Sequence, residues 1–74
     1  MNAKVRKEIA KHIEVLNKIK DSLESMADLE NEKYENMPEG LQDSERGEEM
    51  RDALDNLDSA VCSIEEAVEY LENI

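Results

Sequence analysis

From Met50 to Leu71 the apolar residues Met50, Leu54, Leu57, Val61, Ile64, Val68 and Leu71 alternate spacings of four and three without exception. That rhythm keeps one stripe of a helix against another helix. An earlier stretch repeats it: Val5, Ile9, His12, Leu16, Ile19, Leu23 and Met26 form a second stripe, which Ile13 and Ala27 widen. Two amphipathic helices are therefore expected, and each needs the other. Only 3% of residues are aromatic, so their common core must be aliphatic. Two Gly and one Pro cannot punctuate a sandwich or barrel of many short strands.

The ends of both helices are readable. Asn2 can cap the first, and nothing from Ala3 to Glu35 breaks it. Pro38 cannot continue a helix and restricts Met37, which favours an end near Asn36. Glu30 and Lys33 are polar at the next stripe positions, so the contact is expected to move to Leu29 and Tyr34, with a bend or fraying there. Residues Asn36 to Ser44 gather Pro, Gly and Asn and read as the turn. Asp43 or Ser44 can cap the second helix, whose first turn holds Glu45, Glu48 and Glu49 where a helix N-terminus favours anions. Gly47 weakens that turn by about 1 kcal/mol relative to alanine. The expectation is an all-α antiparallel hairpin in one domain: helix 2–36, turn 37–43, helix 44–73.

A rod of two helices buries less apolar surface than a globule of equal mass, and 74 residues is already small for a self-sufficient core. Self-association into a four-helix bundle or larger helical oligomer follows as an expectation, the alternative being a further helical break that allows a compact monomer. Ala53, Ala60 and Ala67 repeat every seven residues beside the second stripe and would let another helix approach closely. The expected oligomer interface is thus Met50, Ala53, Leu54, Leu57, Ala60, Val61, Ile64, Ala67, Val68 and Leu71.

Charge limits the partners. The net charge is −11, divided into +4 over residues 1–20 and −15 from Asp21 onward. Such a field repels nucleic acid and anionic membranes and steers the chain toward basic surfaces. No apolar run is long enough for a spanning helix or a signal peptide, and a soluble, intracellular chain is expected. The lone Cys62 cannot form an internal disulfide and, beside the stripe with no basic neighbour in sequence, reads as a buried or half-buried inert thiol.

Residues for catalysis or metal binding are sparse. The chain lacks a glycine-rich phosphate loop, a cysteine pair and a second histidine, and Glu8 to His12 is not the Glu-x-x-His spacing of di-iron bundles. His12 is read as a polar residue on the seam. Asp52, Asp55 and Asp58 share a helix face but lack the glycine-containing loop that calcium sites use. Glu65, Glu66, Glu69 and Glu72 read as a solvated face. No enzyme activity, cofactor or metal is expected.

The segment YENMPEGLQDSERGEE, Tyr34 to Glu49, carries a resemblance through NMPEGLQ followed by SERGE. It resembles small acidic helical proteins of phages, prophages and conjugative elements of Gram-positive bacteria. That family has no assigned activity, so the resemblance implies a mobile-element origin, with a cytoplasmic location in a bacterial host, and no chemistry. The basic N-terminal segment lies outside it.

The leading expectation is a counter-defence inhibitor that occupies a basic host protein. Asp52, Asp55, Asp58, Glu65, Glu69 and Glu72 would imitate nucleic-acid phosphates, with Gln42, Ser44, Arg46 and Arg51 adding contacts near the turn. The alternatives are an oligomeric sponge for a signalling nucleotide, its phosphates held by Arg46, Arg51, a helix N-terminus or the basic end of helix 1, and a structural or regulatory oligomer. Surface pairs with Glu45, Glu48, Glu49, Asp52 or Asp55 are the simplest expected compensation for the two arginines.

Overall fold

A computed structural model describes residues 1–74. Its elements are α1 (Ala3–Glu35), the single turn α2 (Glu39–Gln42) and α3 (Glu45–Glu72). α1 and α3 lie antiparallel in a rod of 58 × 15 × 13 Å. No helix is long and apolar enough to cross a membrane.

Local chemistry sets the helix ends. The Asn2 side-chain oxygen accepts from the Val5 N–H at 2.9 Å and caps α1. α1 stops at the Asn36 cap, two residues before Pro38. Ser44 caps α3, its hydroxyl accepting from the Gly47 N–H at 3.3 Å. Between them α2 turns the chain inside what the sequence marks only as a loop.

The seam between the long helices is a heptad pattern whose a and d positions face the neighbour. In α3 the seam is the expected stripe, extended backwards by Gly47: Gly47, Leu54, Val61 and Val68 at a are buried, and Met50, Leu57, Ile64 and Leu71 at d are half-buried. In α1 the seam differs from the expected stripe. It runs through Ile9, Ile13, Leu16, Lys20, Leu23, Ala27, Glu30 and Tyr34, of which Ala27 is buried and the others half-buried. Ile9, Leu16 and Leu23 belong to both patterns, whereas Val5, His12, Ile19 and Met26 are exposed.

Three further expectations are corrected. His12 is off the seam because Ile13 takes the place against α3. α1 does not fray at Glu30: the helix continues to Glu35, Lys33 reaches back to the Glu30 carboxylate at 3.1 Å, and Tyr34 rejoins the seam while Leu29 remains exposed. Cys62 is exposed, being on the side of α3 turned away from α1.

The alanine column is displaced as well. Ala53, Ala60 and Ala67 are exposed, so the closest approach inside the hairpin is made by the a and d residues beside them. Leu54, Val61 and Val68 are used within the chain against α1. The d residues Met50, Leu57, Ile64 and Leu71 share an open rim with the alanines.

Candidate interaction surfaces

The turn directs two of its polar side chains, Gln42 and Ser44, inward and leaves Asn36, Glu39 and Asp43 exposed. The Gln42 amide donates to the carbonyls of Tyr34 at 3.0 Å and Met37 at 3.1 Å, with a longer contact to Glu35. Carbonyls in the last turn of a helix have no intrahelical donor, and Gln42 supplies one from outside. Ser44 serves as the α3 cap and also donates its hydroxyl to the Leu41 carbonyl. Gln42 and Ser44, named above as candidate contacts, thus hold the two helix ends together.

Arg51 is similarly engaged. Its guanidinium donates to the Tyr34 hydroxyl at 2.6 and 3.2 Å and lies 5.7 Å from the ring centroid, within cation–π range. That hydrogen bond, with the fields of Tyr34, Asp43 and Asp55 adding to it, holds the Arg51 pKa above its ordinary value. Neither arginine forms the expected carboxylate pair; the ion pairs are Lys18–Glu14, Lys20–Asp21 and Lys33–Glu30. The tyrosine, seventeen residues away, is the partner that near neighbours in sequence do not reveal.

Because α1 and α3 meet a-to-a and d-to-d, the flanking columns sort onto opposite sides of the hairpin. Glu30, Lys33, Arg46 and Met50, from the d and g columns of both helices, line one shallow depression with Met37 and Leu41. Ala27, Asp28, Asn31, Leu54 and Asp58 line a crevice on the e side. The first side is apolar over most of its length, the second acidic.

On the apolar side α1 presents Val5, His12, Ile19 and Met26 at g and Val15 and Leu29 at c. Ile19 is 46% exposed, Val15 52%, Met26 53% and Leu29 61%. Across the seam Ala67, Ala60 and Ala53 occupy g of α3, level with His12, Ile19 and Met26. The α1 half of this face is absent from the sequence-based interface. The signal for it was an excess of apolar columns in α1, more than one seam can use.

The acidic side holds the six carboxylates expected to bind a partner. Asp58, Glu65 and Glu72 are at e, Asp55 and Glu69 at b, and Asp52 at f, all exposed and none in an ion pair. Cys62 shares the b column. No group of three or more His, Cys, Asp or Glu is arranged to hold a metal ion. No protein-family model, curated protein or solved structure matches the chain.

Proposed function

We propose that this chain is a non-enzymatic binding protein of mobile-element origin, a counter-defence inhibitor that lays the acidic side of α3 on a basic surface of a host protein. The observation that carries this reading is the excess negative charge of that side: Asp52, Asp55, Asp58, Glu65, Glu69 and Glu72 are exposed and form no ion pair. Their columns run along an unbroken helix of 28 residues, about 42 Å at 1.5 Å per residue. A long, fixed row of carboxylates attracts a basic groove over distance and pays little ordering entropy on docking. The working form is a helical oligomer, a four-helix bundle or larger, which repeats the acidic row on more than one side.

The nucleotide-sponge alternative has less support. Arg51 is engaged by Tyr34 and Lys33 by Glu30, so Arg46 is the one cation near the turn without such a partner. A single exposed arginine amid acids is a weak phosphate site.

Capture of a basic protein from host lysate, repeated with the Asp55→Asn, Asp58→Asn, Glu69→Gln triple variant, tests the proposal. Association should weaken sharply between low and physiological salt, and the triple variant should lose most of it while keeping its helical circular dichroism. Equal capture by both proteins rejects the acidic-face reading.

A further inference from the structure

The hairpin is incomplete by itself. It exposes 5760 Å², whereas a compact folded monomer of 8.5 kDa exposes about 4,650 Å². The excess of about 1,100 Å² exceeds the roughly 800 Å² that a standard interface takes from each partner. One broad side measures about 58 by 15 Å, on the order of 800 Å² in projection, which matches that requirement.

We propose that a second copy of this chain covers the d/g face, stacked antiparallel, so that the turn of one hairpin lies over the free ends of the other. This deepens the assembly reading above and rests on it. Charge decides the orientation. Residues 1–20 of α1 carry +4, and residues 21–35 carry −5, from six acids against Lys33. Antiparallel stacking sets α1 on its own copy with each basic half against an acidic half. Parallel stacking would set the two turn-proximal halves together, each −11 over residues 21–59, from fourteen acids against Lys33, Arg46 and Arg51.

Shape agrees with charge. In this arrangement the bulky column of α1 meets its copy and the alanine column of α3 meets its copy, so the α3 pair approaches more closely than the α1 pair. The layers across the face are Val5–Ile74, His12–Ala67, Ile19–Ala60, Met26–Ala53 and Lys33–Arg46. The Ile19–Ala60 layer is central, and the twofold axis passes through it. Exposed Leu41 at the turn then receives the exposed Val5 and Ile74 of the other copy.

Cysteine cross-linking reads this geometry directly. In a Cys62→Ser background, Ile19→Cys and Ala60→Cys should each form a disulfide-linked dimer on mild oxidation, because each position lies against its own copy. Cys62 in the unaltered protein, on the opposite face, should not. A dimer by sedimentation equilibrium that links only when the Ile19→Cys and Ala60→Cys proteins are mixed has parallel hairpins; it overturns this inference and leaves the assembly reading standing. A monomer at 100 μM overturns both. Ala60→Glu supplies a second measurement: its site is exposed in the single hairpin, and the dissociation constant of the dimer should rise at least tenfold over that of the unaltered protein. Unchanged dimerisation would remove the d/g face as the contact.

Discussion

Gly47 passes directly beneath the carbonyl group of Gln42, so closely that a β-carbon at position 47 would overlap the Gln42 oxygen and press on that of Leu41. The first turn of α3 is packed against the backbone of α2, and only a residue without a side chain fits. Alanine normally gains about 1 kcal/mol over glycine within a helix. Here the clash is with backbone, which cannot swing aside.

Gly47→Ala should therefore lower stability by about 1 to 3 kcal/mol despite its better helix propensity. Gly40→Ala is the matched control, since nothing lies within 4 Å of its β-carbon position. It should be neutral or stabilising by up to about 1 kcal/mol. Thermal melts of the two variants check the contrast, and equal melting temperatures would contradict it.

Gln42→Ala removes the amide donor to the Tyr34 carbonyl at the end of α1 and to the Met37 carbonyl just beyond it, and should cost about 1 to 2 kcal/mol. Gln42→Glu should cost more at neutral pH, because a carboxylate cannot donate and repels those carbonyls. Circular dichroism against urea, at one protein concentration, measures both. A Glu variant as stable as the unaltered chain would show that the amide bonds contribute little.

Lys20 occupies an a position level with Val61, and its side chain is 23% exposed while its ammonium lies 3.8 Å from Asp21. Its methylenes cover the seam and its charge reaches outward. Lys20→Met should raise stability by about 1 kcal/mol, since the replaced charge forms only a surface ion pair. A loss of stability on urea titration would mean that the ammonium matters more than its surroundings indicate.

Tyr34→Phe retains the ring near Arg51 and deletes the hydroxyl that accepts its two hydrogen bonds. The hydrogen-bonded pair is exposed, so the melting temperature should change little. Arg51→Lys should not recover the paired geometry, because an ammonium lacks the planar fork. If either substitution abolishes partner capture while the melt is unchanged, Arg51 contacts the partner as well as Tyr34.

α3 was legible in the sequence and α1 only partly, for a physical reason. Every a and d position of α3 from Met50 to Leu71 is apolar and its flanks are polar or alanine, so one stripe satisfies the pattern. α1 has apolar residues in four columns and the polar Lys20 and Glu30 on its true seam, so counting favours Ile19 and Met26 over their buried neighbours. The choice between them lies in the turn. Gln42, Ser44 and Gly47 fix how α1 and α3 are rotated about their axes, and those are contacts between backbone and side chains that periodicity does not report. The acidic side was readable because it follows from the α3 stripe; the exposed apolar side was hidden by the α1 ambiguity.

The hairpin also has an order in which it can close. Tyr34 and Arg51 are seventeen residues apart, and Arg6 and Ile74, joined by a 2.9 Å hydrogen bond, are sixty-eight apart. Chain-closure entropy rises by about 0.6 kcal/mol for each doubling of that separation, so first contact at the open end costs about 1.2 kcal/mol more than at the turn. Folding then proceeds as a zip from Gln42 outward, each new layer only a few residues beyond the last, and belongs with the rapid, locally connected topologies. The same asymmetry sets the order of opening: amide protons near Lys4 and Glu72 exchange first, and those around Ala27 and Leu54 persist longest.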